Sequence, residues 1–173
     1  MGCFEEFSLP SEQFDVVTAF SAWHWLDPEI ALAQAAAALR PGGAIAIVGG
    51  DHVEGGDTDF FNEMQDCYER YMPGTPKGLR LEAADDIPSS DWGIESMPAF
   101  DPPVFRRWTQ VTEYTTATYF DLLRTFSGHI ALDAENRAAL FACLEELLES
   151  RYGGRVRRAT LTELCVARRR ATD

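Results

Sequence analysis

Blocks of apolar and polar positions change period along the chain, and each change marks an element. Phe14-Asp15-Val16-Val17-Thr18-Ala19-Phe20 is apolar apart from Asp15 and Thr18. That pattern, rich in β-branched residues, predicts a strand covered on both faces. Asp27-Pro28-Glu29 then opens a segment in which Ile30, Leu32, Ala35, Ala36 and Leu39 recur at near-helical spacing. A carboxylate cap, proline at the first position and an acid in the first turn mark a helix start. Pro41 stops the helix, Gly42-Gly43 permits a tight return, and Ala44-Ile45-Ala46-Ile47-Val48 reads as a second buried strand that Gly49-Gly50 ends. Strand, helix and strand with short connections form a parallel crossover unit, found almost only in α/β sheets.

A second helix is predicted from Asp57 to Met72, with Phe60, Phe61, Met64 and Tyr68 on one side and Pro73-Gly74 as the stop. Thr75 to Pro103 is rich in Pro, Gly, Asp and Ser, with apolar anchors at Leu79, Ile87, Trp92, Ile94 and Phe100, and reads as an ordered irregular segment. Val104 to Tyr114 alternates as a strand does. Thr115 or Thr116 caps a helix through about Phe126, and Asp133 caps a longer one to about Arg151 that buries Leu140, Phe141, Leu144, Leu147 and Leu148. Gly153-Gly154 turns into a last strand from Val156 to about Arg168. With no repeat, low-complexity tract or internal boundary, residues 1–173 read as a single domain.

Composition narrows the partners. A net charge of -13 disfavours nonspecific nucleic-acid binding, which needs clustered cations, and docking on anionic membranes. No apolar run approaches the roughly 18 residues that span a bilayer, and the first residues lack the basic and apolar regions of a secretion signal. Arg155, Arg157, Arg158, Arg168, Arg169 and Arg170 flank the last strand, where solvated charges blunt a sheet edge. Cys3, Cys67, Cys143 and Cys165 are widely spaced without a CxxC pair. They read as reduced cysteines in a cytoplasmic protein, with neither a metal site nor a disulfide framework.

Taken in order, Leu9-Pro10, Phe14-Asp15-Val16-Val17, His24-Trp25 and Leu39-Arg40-Pro41-Gly42-Gly43 resemble class I S-adenosylmethionine-dependent methyltransferases. The similarity is to the branch acting on small molecules, trans-aconitate methyltransferase among them. It implies an α/β fold: a partial Rossmann-like sheet, from the family's fourth strand onward, with C-terminal antiparallel strands and flanking helices. The Gly-rich turn and the ribose-binding acid that the family carries before this point have no counterpart in the chain. That implies that the chain is the C-terminal portion of such a domain, that it is incomplete alone, and that the Phe14–Phe20 strand has an uncovered edge open to a partner chain or to self-association. Several lost cofactor hydrogen bonds correspond to roughly three to five orders of magnitude in affinity.

The resemblance also distributes roles. Glu5 falls where the family holds the adenine amino group, as a carboxylate acceptor would. Phe20, Ser21, Ala22 and Trp23 fall at the carboxyl end of a strand, where ligands bind in such sheets, beside the cofactor's methionine part. His24 is the candidate base, needed only if the acceptor arrives protonated. Its alternative role is to line the pocket and orient neighbours. Trp25 and Arg124 are candidates for the substrate pocket, and Trp23 and Trp25 either face a sulfonium or fill core. The implied activity is methyl transfer from S-adenosylmethionine to a small-molecule acceptor. The alternative is a non-catalytic, partner-binding remnant.

Overall fold

The computed structural model describes residues 4–7 and 9–171, the Glu5 side chain excepted, so Cys3 lies outside the described residues. Strand β1 (Phe14–Phe20) leads through a 3-10 turn at Trp23–Trp25 into helix α1 (Pro28–Ala38) and strand β2 (Leu39–Gly56). Two short helices follow, α2 (Thr58–Glu63) and α3 (Gln65–Tyr71). After the irregular segment come β3 (Val104–Thr115), α4 (Thr116–Leu123), α5 (Ser127–Ala131), α6 (Ala134–Tyr152) and β4 (Arg155–Arg168).

Local chemistry sets these boundaries as expected. The Asp27 carboxylate accepts from the backbone N–H of Glu29 at 3.0 Å and of Ile30 at 3.2 Å. Thr115 and Thr118 form a reciprocal capping box, and Asp133 accepts from Asn136 N–H at 2.9 Å. Gly153 supplies the left-handed residue that ends α6, at φ 65°. Asp27→Ala is therefore expected to destabilise the chain by about 1 kcal/mol, the usual worth of a carboxylate N-cap. Urea denaturation checks this, with an unchanged m-value.

The strands are ordered β1-β2-β4-β3. β1 and β2 run parallel, Val16 to Phe20 matching Ala44 to Val48. Gly42 N–H donates to Arg169 O at 3.0 Å and Arg169 N–H to Gly43 O at 2.8 Å, while Asp57 N–H reaches Arg157 O at 2.9 Å, so β4 runs antiparallel to β2. The pairs Asp101–Arg168 and Thr116–Gly154 do the same for β3 and β4. A parallel crossover followed by antiparallel strands is the architecture the resemblance implies.

By contacts the chain divides into two compact units: residues 1–51, 88–108 and 161–173, and residues 52–87 and 109–160. The first is centred on Ala31, Leu32 and Ala35 of α1, Ile45 and Ile47 of β2, Cys165 of β4, and Ile94 and Phe100 of the irregular segment. The second is more aromatic: Phe60, Phe61, Tyr119 and Phe120 pack with Leu140, Leu144 and Leu148 along one stripe of α6.

Several expectations are corrected. One face of β1 is open where both were expected to be covered: Phe14, Val16 and Phe20 are 40%, 51% and 68% exposed, while its place at the edge of the sheet agrees with expectation. Arg40-Pro41-Gly42-Gly43 is a bulge within β2, not a separate turn, because the pairing slips between Phe14↔Leu39 and Val16↔Ala44. Gly49-Gly50 does not end that strand. A Cβ on Gly49 would stand 2.9 Å from the Trp92 ring, so the missing side chain makes room for the indole while the strand runs on to Gly56. There the turn is abrupt: Gly56 has φ 63°, and a Cβ would overlap Arg157 O at 2.1 Å.

The helix expected over Asp57–Met72 breaks at Met64, where Cys67 N–H donates to Met64 O at 3.0 Å in a tighter turn. The helix after Thr115 ends at Leu123, short of Phe126, and Leu79 is exposed rather than an anchor. The strand-end arginines are largely paired. Arg157 donates to Asp57 from its backbone N (2.7 Å), Nη2 (2.7 Å) and Nε (3.2 Å), and Arg169 and Arg170 meet Glu12 and Asp101. Burial tends to raise the Asp57 carboxyl, but the bonds from Arg157 outweigh it and hold the group below the usual carboxylate range. Finally, Cys67 and Cys143 are joined in a disulfide between α3 and α6, with Cα atoms 5.9 Å apart, so these two are not reduced thiols.

Candidate functional site

At the end of β1 the chain turns sharply. Ser21 adopts φ 48°, uncommon for a residue with a side chain, and its N–H donates to Val48 O on β2 at 2.9 Å. The turn leaves Phe20, Ser21 and Ala22 exposed at the carboxyl end of β1, beside Val48 in the middle of the parallel strand β2. Trp23 folds inward and is 4% exposed in the core of its unit, and its Nε1–H has no hydrogen-bond partner among the described residues. His24 and Trp25 point outward with ring centroids 5.0 Å apart, tilted by 43°. The arrangement offers open backbone beside small side chains, with an indole and an imidazole at the rim.

The second unit contains its own cavity, of about 430 Å³, between the α2–α3 helices and the stretch from Met72 to Leu81. Its lining is mostly apolar, including Phe61, Met64, Met72, Pro76 and Leu79. His52 lies edge-on to Phe61, centroids 4.3 Å apart, and its buried Nε2 has no partner among the described residues. Burial, helped by the positive charge of Arg158, lowers the His52 pKa to about 3, so the imidazole is neutral. A contiguous recess of about 300 Å³ shares His52 and Tyr68 and reaches Tyr119, His129 and Arg158.

Tautomers in that recess follow from the bonding. His129 Nδ1 lies 2.9 Å from Leu123 O, which can only accept, so Nδ1 carries the proton. Nε2 is then an acceptor for the Tyr68 hydroxyl at 3.0 Å. Burial raises the Tyr68 pKa and lowers that of His129, so the pair is a neutral relay from hydroxyl to imidazole to helix end.

Of the residues singled out from the sequence, Phe20, Ser21, Ala22, Trp23, His24 and Trp25 form one continuous strand-end loop. Glu5 belongs to the short 3-10 turn Phe4–Glu6, with its side chain outside the described residues. Arg124 belongs to the second unit, where its guanidinium meets Asp121 at 2.9 Å and lies 5.8 Å from the Phe141 ring centroid, beside a cleft of about 450 Å³. Sequence reasoning missed His52, Tyr68 and His129. His52 stood beyond the residues taken to end β2, and a helical tyrosine or an isolated histidine carries no motif of its own.

Residues 1–47 match the family model described as a methyltransferase domain. Uncharacterized methyltransferases of Mycobacterium tuberculosis and Mycobacterium bovis are 42% identical to the chain over 48 residues, which are 28% of this chain and 20% of theirs. The match thus spans about a fifth of those relatives' length. Among solved structures, a protein assigned as a type II methyltransferase from Anaeromyxobacter dehalogenans superposes with a TM-score of 0.56 at 19% identity, over 95% of this chain and 68% of that one. The fold is accordingly the Rossmann-like methyltransferase fold. No helix among the described residues is long and apolar enough to cross a membrane.

Proposed function

We propose that the chain forms part of an S-adenosylmethionine-dependent methyltransferase acting on a small molecule. The observation that carries this reading is the loop Phe20–Trp25, exposed apart from Trp23 and set at the carboxyl end of β1 beside the parallel strand β2, within the region that matches the methyltransferase model. The residues fit the cofactor. Ser21 and Ala22 present small, exposed side chains beside which the polar methionine end would lie, and the buried Trp23 Nε1–H is a donor with no acceptor among the described residues. A buried donor left unpaired costs about 1–3 kcal/mol, which a polar group brought to it would relieve. Bound there, the cofactor supplies a methyl group on a sulfonium, transferred by in-line displacement. The chain's residues orient and desolvate: Phe20 and Trp25 provide apolar and π surface at the rim, and His24 takes up a proton where the acceptor carries one.

The exposed edge of β1 is the place where a further strand of the same domain, or a second copy, would pair. A non-catalytic, partner-binding role would use the same edge. The test separating the two is titration of the isotope-labelled chain with S-adenosylhomocysteine, read by amide chemical shifts. The expected result is shifts concentrated at Ser21, Ala22 and Trp23, with a dissociation constant above about 100 μM, as fits a chain making only part of the cofactor's contacts. Absence of shifts at 10 mM, or shifts confined to other regions, would overturn the cofactor reading.

A further inference from the structure

We propose that the cavity of the second unit is a ligand site for a flat, largely apolar molecule bearing one acidic hydroxyl, of the phenol class, with that hydroxyl bonded to His52 Nε2. The proposal goes beyond methyl transfer and does not depend on it.

Volume comes first. About 430 Å³ lies within the 300–1,000 Å³ typical of small-molecule sites, and the space belongs wholly to one unit. Phe61 and Met64 supply aromatic and polarizable surface on the helix side, and Met72, Pro76, Leu79 and Leu81 come from the opposite stretch. Methionine lines such sites well because its thioether adapts to ring faces.

Polarity then selects the ligand. Two polar side chains of the lining are already engaged: Gln65 Nε2 donates to Pro76 O at 2.9 Å, and the Tyr68 hydroxyl is taken by His129. His52 Nε2 alone combines burial with the lack of a partner among the residues lining the cavity. One buried, unpartnered polar atom in a mostly apolar lining suits a ligand with a single polar group.

Charge decides which group. No aspartate or glutamate lines the cavity or its adjoining recess, whereas Arg80 and Arg158 do. An ammonium ligand would therefore be desolvated beside two guanidinium groups without a counter-ion. The same positive field favours an oxygen carrying partial negative charge, and a neutral imidazole can bond to an O–H directly. An acidic hydroxyl meets both conditions, whereas an ammonium could donate to the imidazole but would bring a positive charge beside Arg80 and Arg158.

Three probes of one shape test this on the full 173-residue chain: 2-naphthol, naphthalene and 2-naphthylmethylammonium. Binding is read by ligand fluorescence and by the imidazole ¹⁵N signals of the three histidines, assigned by substitution. The expected result is that 2-naphthol binds at least tenfold tighter than naphthalene, the ammonium binds weakest, and 2-naphthol moves the His52 Nε2 signal while His24 stays still. His52→Phe should reduce the preference for 2-naphthol over naphthalene to less than twofold while both still bind. Leu79→Trp, at an exposed rim position, should weaken both. Equal binding of the ammonium, a stationary His52 signal, retention of the preference in His52→Phe, or no binding of 2-naphthol up to its solubility would each overturn the proposal. Should His52→Phe fail to fold, the ¹⁵N shift and the probe ranking in the unmodified chain still decide it.

Discussion

Opening the Cys67–Cys143 bridge should lower the stability of the chain by about 4 kcal/mol, the largest effect expected here. The bridge joins α3 to α6 across a sequence separation of 76. In the chain-entropy description, a cross-link stabilises by restricting the unfolded ensemble, and a loop of this length corresponds to about 4.5 kcal/mol at 25 °C, against a usual range of 2–5. Chemical denaturation of the chain with and without dithiothreitol measures the difference, and Cys67→Ala/Cys143→Ala should reproduce the reduced value. A change below 1 kcal/mol would mean that the bridge does not constrain the chain. Cys165 is a built-in control: it is buried, and burial together with nearby Glu163, Asp91 and Glu95 pushes its thiol up to about 12, so it supplies almost no thiolate for exchange. The expectation of reduced thiols does not hold for Cys67 and Cys143.

Acid should destabilise the chain through His52. Its folded pKa of about 3 lies well below the ordinary 6.5, so between those values the unfolded state binds a proton that the folded state refuses. Stability from this group is therefore complete above about pH 6.5 and is lost progressively as pH falls toward 3. At 1.36 kcal/mol per unit the full shift approaches 5 kcal/mol. A discount for the part of the ring still open to solvent brings the expected loss to about 3 kcal/mol. Carboxylates such as Asp57 lose stability over the lower part of the same range, and His129, also lowered by burial, adds in the same direction. The informative quantity is thus the difference between the chain and His52→Gln. The variant should lose about 3 kcal/mol less between pH 7 and pH 3.5, and parallel curves would show that His52 is protonated in the folded state.

Much of the fold was legible because its punctuation is local. Asp27, Thr115 and Asp133 bond to N–H groups two or three residues away, so the chain announces those helix starts without tertiary help. What escaped was decided at long range. Gly49-Gly50 looks like a strand end until Trp92 comes to occupy the missing side-chain space. Cys67 and Cys143 look unrelated until α3 packs on α6. The position of Phe20–Trp25 at the end of a strand could be read in advance because the loop is contiguous and follows the Phe14–Phe20 pattern directly. The His52 cavity could not, since its walls come from residues spread between positions 52 and 81 and no spacing rule links an imidazole to the cavity it lines.

The way the chain is shared between the two units has a practical consequence for dissecting it. It passes from one to the other four times, after residues 51, 87, 108 and 160. Three of those passages fall inside β2, β3 and β4, and the fourth falls at Ile87–Pro88 in the irregular segment. A protease nick at that fourth point would leave two fragments that each still carry pieces of both units. Neither half can be released by a single cut, so gene-splitting experiments on this protein call for complementation of paired fragments instead of isolated halves.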